Sequence, residues 1–119
     1  MIVHITWRVE WATAVTAPTF RPASLDTEGF IHCSTPAQLL GPANALFRGQ
    51  TGLVLLCIAP EKVRAPIVYE DCYGTGQPFP HVYGPLNRDA VVAVLDFPPR
   101  PDGSFDLPPD LAERDTDLS

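Results

Sequence analysis

Residues 52–59, with the sequence GLVLLCIA, are the feature that most restricts how this chain can fold. Nearly every residue in this run is apolar, whereas a strand with one face in water alternates apolar and polar residues. The run is therefore predicted to be a central strand covered on both faces. A chain of 119 residues can bury roughly two thirds of its unfolded surface, so one core is expected.

Other segments supply partners for this strand. Further strands are predicted at residues 2–6, 30–34, 66–71 and 89–97, where apolar residues cluster or alternate with polar ones. Because strands and helices do not alternate regularly, the crossovers of a parallel sheet have few places to fit. The predicted fold class is α+β, with a largely antiparallel sheet.

Two helices are predicted between these strands. The first is capped by Thr6, is stopped by Pro18 and buries a stripe of Trp7, Trp11, Ala14 and Val15. The second begins at Thr35, with Pro36 at its first position and Gln38 completing a capping box, and ends at Gly49. Its buried stripe is Leu39, Ala43, Leu46 and Phe47. Pro42 inside it predicts a kink or two short helices.

The distribution of charge and proline divides the chain. Residues 1–98 are predicted to form a single domain, and residues 99–119 a proline-rich acidic tail that lies on the surface or is disordered. Residues 100–119 carry six acids and two arginines, so most of the net charge of -6 belongs to this tail. The lysines and arginines form no continuous basic stripe, so binding of an extended nucleic acid is not expected. No apolar run is long enough to cross a bilayer, and MIVHITW does not resemble a secretion signal, so a cytoplasmic location is expected.

The three cysteines, Cys33, Cys57 and Cys72, form no CxxC motif and indicate neither a disulfide framework nor a cysteine-rich zinc site. His32 and Cys33 are adjacent in a predicted strand, so their side chains point to opposite faces and cannot form a nucleophile pair by adjacency alone. Cys33 is predicted to join the core with Ile31. His32 is predicted to share the other face with Phe30 and Ser34.

The three histidines share one pattern. Each is followed two residues later by a hydroxyl residue, with an apolar residue between them. Three such strands could line one cleft, where converging polar groups bind a small ligand. The alternative is three structural histidines on half-exposed strands. A zinc or iron site built from three histidines is a third alternative, although no HxH or HExxH motif supports it and no metal is predicted. The histidine and hydroxyl pairs are His4 with Thr6, His32 with Ser34, and His81 with Tyr83.

Two further residues complete the candidate set. Glu70, at the end of a predicted strand, could supply an acid or base, against the alternative of a solvated surface acid. Arg21 could hold a phosphate bidentately, against the alternative of a surface arginine.

The motifs VHIT, SLDTEGFIHCST, GLVLLCI and FPHVYGPLN, followed by AVVAV, resemble domain-of-unknown-function family 952 of small bacterial proteins. The resemblance covers residues 2–98. It implies a fold like that of ADP-ribosyltransferases, in which two short antiparallel sheets grip NAD. By this resemblance His4 would bind the ribose of NAD, and His32 with Ser34 would line the nicotinamide side. These transferases also use a later glutamate to stabilise the developing ribosyl cation, and Glu70 is the nearest acid on a predicted strand that could take this role.

The leading hypothesis is that the protein binds NAD or a related phosphoribosyl ligand, with ribosyl- or phosphotransferase chemistry. The catalytic candidates are His4, His32, His81 and Glu70, and the substrate-binding candidates are Thr6, Arg21, Ser34 and Tyr83. The alternatives are a binding or regulatory module without catalysis and, third, a histidine metalloenzyme. The sequence does not indicate an oligomeric state.

Overall fold

The computed structural model describes residues 1–13, 17–71 and 74–111. Short strands dominate this part of the chain, and its three α-helices have no more than seven residues each. None of the described helices is long and apolar enough to cross a membrane. The strands are β1 (Ile2–Trp7), β2 (Thr19–Phe20), β3 (Ile31–His32), β4 (Leu53–Ile58), β5 (Ile67–Glu70), β6 (Phe79–Val82), β7 (Leu86–Asn87) and β8 (Val91–Asp96). The helices are α1 (Arg8–Thr13), α2 (Ser24–Thr27) and α3 (Leu40–Leu46), with short 3-10 turns at Pro36–Gln38, Pro60–Lys62 and Arg88–Ala90.

The prediction of a central strand at the apolar run is confirmed. Strand β4 lies between β1 and β8, and all six of its residues are buried. Alternate residues of β4 serve two cores, because neighbouring side chains of a strand point to opposite faces. Val54, Leu56 and Ile58 belong to one core, while Leu53, Leu55 and Cys57 belong to the other.

Every strand pair in the described residues is antiparallel, as the predicted fold class requires. Two three-stranded sheets have the orders β1-β4-β8 and β3-β6-β5, and a two-stranded ribbon pairs β2 with β7. The two larger sheets meet where Val3 and Ser34 exchange main-chain hydrogen bonds of 2.8 Å in both directions. This junction places the start of β1 beside the end of β3.

Helix α1 begins later than the sequence predicts. Thr6 and Trp7 are still paired with β4, so Trp7 is a strand residue and Thr6 does not cap the helix main chain. The Thr6 hydroxyl donates instead to a carboxylate oxygen of Glu10, at 3.1 Å. Trp11 does pack against a core. Ala14 and Val15 lie outside the described residues.

The predicted interruption by Pro42 takes the form of two short helices. A 3-10 turn over Pro36–Gln38 precedes α3, and Gln38 accepts a hydrogen bond from the Thr35 amide. Pro42 is the third residue of α3, where an amide would have no partner inside the helix, so its missing N–H costs little. Of the predicted buried stripe, Leu39 and Ala43 are buried, Phe47 packs on the core and Leu46 is exposed.

Most described residues of the segment predicted to be a surface tail are not buried, but two apolar side chains of this segment belong to a core. Phe105 and Leu111 are buried in the same core as Val3 and Leu55. The ring of Phe105 stacks on Phe97 with 4.6 Å between centroids. The prediction rested on the proline and acid content of the segment. Phe105 and Leu111 are two widely spaced apolar residues within it, and they pack in the core on one face of the sheet.

We expect Phe105→Ala to lower the free energy of unfolding by about 3–5 kcal/mol, because it removes a buried ring and leaves a cavity. Leu107→Ala is the matched control, since Leu107 lies two residues away and is 37% exposed. Urea unfolding followed by circular dichroism measures both variants. Equal, small effects of the two substitutions would show that the segment is not part of the folding unit.

Candidate functional site

Strand pairing brings two of the three histidines together. His32 of β3 and His81 of β6 are directly opposite each other in the antiparallel register, so their side chains point to the same face. Their ring centroids are 5.5 Å apart, with one ring edge-on to the other. The predicted convergence of histidine strands therefore holds for this pair.

His32 is held by the glutamate four residues before it. The Nε2 atom of His32 lies 2.7 Å from a carboxylate oxygen of Glu28, which can only accept, so the ring donates through Nε2. Gly29, with a φ of 86°, allows the chain to turn between α2 and β3 and so places the carboxylate beside the ring. About a third of the His32 side chain and half of the Glu28 side chain are exposed. A ligand in solvent can therefore reach this pair.

His81 has a second carboxylate, Glu70. The Nδ1 atom of His81 donates to Glu70 Oε1 at 2.8 Å, and the hydroxyl of Tyr83 donates to the same oxygen. His81 is fully buried, whereas 29% of the Glu70 side chain remains exposed. Strand β5 ends at Glu70 and pairs with β6, which explains why these groups meet. The sequence candidates Glu70, His81 and Tyr83 thus form one hydrogen-bonded unit.

An aromatic side chain, Phe30, joins the two histidines. Its ring stacks on His81 with centroids 4.1 Å apart and an interplanar angle of 18°. The same ring packs against His32 at 4.8 Å and against Tyr83 at 5.3 Å. Because Phe30 is itself nearly buried, it fixes the orientation of both imidazoles.

His4 approaches the site from the other sheet. Its Nδ1 atom donates to the carbonyl oxygen of His32 at 2.6 Å, a contact made possible by the Val3–Ser34 junction. The ring is 8% exposed and packs edge-on against Phe20 at 6.1 Å. Among the described residues, nothing hydrogen-bonds to Nε2 of His4. His4 therefore supports the main chain of His32 rather than its ring.

The surroundings of His4 keep it neutral. Burial lowers the pKa of His4 from 6.5 to about 4, with a smaller contribution from the nearby His32, while the hydrogen bond to the His32 carbonyl acts in the opposite direction. The imidazole is uncharged at neutral pH. With Nδ1 protonated, its Nε2 is an acceptor.

The remaining predicted site residues are not bonded to a histidine ring. Thr6 is buried and its hydroxyl binds Glu10. Ser34 is buried at the junction, where its main chain pairs with Val3. Arg21 lies 3.8 Å from Asp26. Among the described residues, the predicted pair of His81 and Tyr83 forms one bonded group, through Glu70.

Two surface concavities have other linings. One, of about 610 Å³, lies between β8 and residues 98–110, and the other, of about 400 Å³, between α1 and residues 17–23. Neither concavity is lined by a histidine. The imidazoles of His32 and His81 pack instead against each other and against Phe30. Within the described ranges, no three His, Cys, Asp or Glu side chains are grouped to hold a metal ion.

The core position predicted for Cys33 is confirmed. Cys33 is buried with Ile31 in one core, and burial raises the pKa of its thiol to about 12. A thiol with this pKa has almost no thiolate at neutral pH, so Cys33 is not a nucleophile. Cys57 is also buried, and Cys72 lies outside the described residues.

Two residues of the histidine site were not among the sequence candidates. Glu28 was missed because an acid beside a glycine is typical of a surface turn, although its spacing of four from His32 could have indicated contact. Phe30 was placed on the correct face without a role. Its position two residues before His32 on that face was the available signal.

Together, the fold and the site define a small α+β protein that carries two neighbouring pairs of glutamate and histidine. Residues 5–94 match the family described as "Protein of unknown function (DUF952)", and the chain belongs to this family. The resemblance to family 952 is thereby confirmed. No curated protein matches the chain.

The solved structures of protein CC0527 from Caulobacter crescentus have the same fold as this chain. The crystal structure is 36% identical, covers 93% of this chain and 97% of its own, and gives a TM-score of 0.83. A crystal structure of a double mutant of that protein gives the same values. Its solution NMR structure is 34% identical, covers 95% and 94% of the two chains, and gives a TM-score of 0.71.

We expect the contribution of His4 to stability to depend on pH. Because its pKa is about 4 in the folded protein and 6.5 for an unperturbed histidine, the unfolded chain binds more protons between these values. Stability is therefore lost as the pH falls from 6.5 towards 4, by about 2 kcal/mol between pH 7 and pH 5.

The matched variant is His4→Asn, because an asparagine amide can donate where Nδ1 does but does not titrate. Urea unfolding at pH 7 and pH 5 measures the difference in free energy between the two proteins. Between pH 7 and pH 5 the parent protein should lose more free energy of unfolding than the variant does. A difference that is independent of pH would contradict a neutral, buried His4.

Proposed function

We propose that this protein binds NAD or a related phosphoribosyl ligand at a site defined by His32, Glu28, His81, Glu70 and Phe30. The observation that carries this proposal is the register of β3 and β6, which places His32 and His81 opposite each other with a carboxylate on each ring. Such a cluster contains several donors and acceptors on one face of a sheet. Ribose hydroxyls and phosphate oxygens need both.

The proposed site divides into an exposed and a buried part. His32 and Glu28 are accessible and make the direct contacts with the ligand. His81 is fully buried, so it acts through Glu70, whose carboxylate it holds together with Tyr83. His4 supports strand β3 by donating a hydrogen bond to the His32 carbonyl. Burial and the direction of each hydrogen bond support these proposed roles.

The chemistry that suits this arrangement is ribosyl transfer. Cleavage of the bond between nicotinamide and ribose develops positive charge on the ribose, and a fixed carboxylate nearby stabilises that charge. Glu70 is held by two donors and remains partly exposed, so it is our candidate for this role. Phosphotransferase chemistry on a ribosyl phosphate is the related possibility, with His32 and Glu28 transferring protons.

The ADP-ribosyltransferase-like fold remains part of the proposal. It is supported by two three-stranded antiparallel sheets that meet at one junction, with the histidines of both sheets close to it. The helices that the structure describes are short. A fold alone does not establish a reaction, so activity has to be tested at the site itself.

A second candidate is a binding or regulatory module without catalysis. It is favoured by the bonds that Glu70 already makes, because a carboxylate that fixes His81 and Tyr83 has a structural use. The complete burial of His81 points the same way. In this case the exposed pair of His32 and Glu28 binds the ligand and no bond is broken.

For binding, we expect calorimetric titration with NAD or ADP-ribose to give a measurable dissociation constant that rises at least tenfold in His32→Ala and Glu28→Gln. Glu61→Gln is the matched control, because it also removes one exposed carboxylate, from the turn at Pro60–Lys62. Both ligand-site variants should keep the circular dichroism spectrum of the parent. Absence of binding at millimolar ligand would refute the proposed site.

For catalysis, we expect the parent protein to release nicotinamide from NAD and Glu70→Gln to lose at least a hundredfold of that rate, as removal of an electrostatic stabiliser does. Chromatography of nicotinamide over time measures the rate, and calorimetry on the same variant checks that NAD still binds. Binding without turnover in the parent protein would favour the module that lacks catalysis.

A further inference from the structure

The concavity of about 400 Å³ is separate from the histidine site. It lies between the end of α1 and the segment around β2, and its volume is within the range of small-ligand pockets, roughly 300–1,000 Å³. We propose that this concavity binds a free amino acid with an apolar side chain. The proposal does not depend on the function of the histidines.

Arg21 provides the anion-binding end. Its guanidinium is 3.8 Å from the carboxylate of Asp26, which is too long for a hydrogen bond, and both side chains are more than half exposed. An exposed pair at this distance contributes little energy. The guanidinium therefore keeps its forked donors for a carboxylate, which it binds bidentately.

Glu10 provides the cation-binding end. The hydroxyl of Thr6, which is buried, donates to Oε2 of Glu10 at 3.1 Å and so orients the carboxylate. Among the described residues, no group donates to the other oxygen, Oε1. A ligand ammonium carries three donors and would bind this oxygen without displacing Thr6.

Besides these two charged residues the lining contains Thr13, Thr19 and four apolar residues. Phe20 is 3% exposed, and its ring is locked edge-on against Trp11 at 5.3 Å and against His4 at 6.1 Å. Ala17, Pro22 and Ala23 complete this part of the lining. An aliphatic or aromatic side chain of the ligand would bury apolar surface against the apolar residues of this lining.

Charge distinguishes an amino acid from a phosphorylated ligand. The lining contains one guanidinium and one carboxylate, which together match the carboxylate and ammonium of a zwitterion. A phosphate dianion would meet Glu10 as well as Arg21, in a chain whose net charge is -6. A like charge facing a ligand costs affinity, so the concavity favours the zwitterion over the dianion.

Titration with leucine tests the proposal, using leucinamide and N-acetylleucine as matched ligands. Leucinamide lacks the carboxylate and N-acetylleucine lacks the ammonium, while the apolar side chain is unchanged. Binding can be followed by calorimetry and by tryptophan fluorescence, because Trp11 packs directly on the Phe20 wall. We expect leucine to bind at least tenfold more tightly than either analogue and than ribose 5-phosphate.

Two variants test separately how the carboxylate and the ammonium of leucine are bound. Arg21→Ala should weaken leucine at least tenfold and leave leucinamide unchanged, whereas Glu10→Gln should weaken leucine and leave N-acetylleucine unchanged. Arg48→Ala and Glu61→Gln remove the same charges from exposed positions outside the concavity. Both controls should bind leucine as the parent does.

Three results would overturn the proposal. They are absence of leucine binding at millimolar ligand, tighter binding of ribose 5-phosphate, and variants of Arg21 and Glu10 that behave like the controls. The histidine site is tested independently, because His32→Ala should not alter leucine affinity. If NAD binds in a manner that depends on His32 but leucine does not bind, only the amino-acid site fails.

Discussion

Two main-chain hydrogen bonds between Val3 and Ser34 hold together the parts of this protein that its proposed function needs. They join the sheet that contains the buried central strand to the sheet that carries His32 and His81. His4 follows Val3 directly, so the same junction brings its Nδ1 to the His32 carbonyl. A main-chain bond of this kind is insensitive to side-chain identity, whereas the residues on either side of it determine what the site can do.

The sequence predicted those parts of the fold that depend on long apolar patterns. The central strand, its two flanking strands and the antiparallel class could be predicted, because each of these strands has an apolar pattern that extends over several residues. Strands β2 and β7 were not predicted, since two residues have no measurable period. The start of α1 was misplaced because pairing with β4 holds Thr6 and Trp7 in the strand against a local capping signal.

Part of the candidate site could be predicted from the sequence for the same reason. Alternation put Cys33 in the core and His32 on the opposite face, and strand pairing then brought His81 alongside. What alternation cannot supply is the identity of long-range partners. The bond from His81 to Glu70 spans eleven residues and depends on the register of β5 with β6, and the concavity at Glu10 and Arg21 depends on how α1 meets β2.

The contribution of Phe105 and Leu111 to the core has a consequence for how the molecule is made. These side chains cover one face of the sheet and share a core with Val3 and Leu39, which are synthesised much earlier. On the ribosome the nascent sheet must keep that apolar face uncovered until residue 111 has emerged, a period in which such surfaces attract chaperones or other nascent chains. The family match ends at residue 94, so both of these core residues lie outside the matched range.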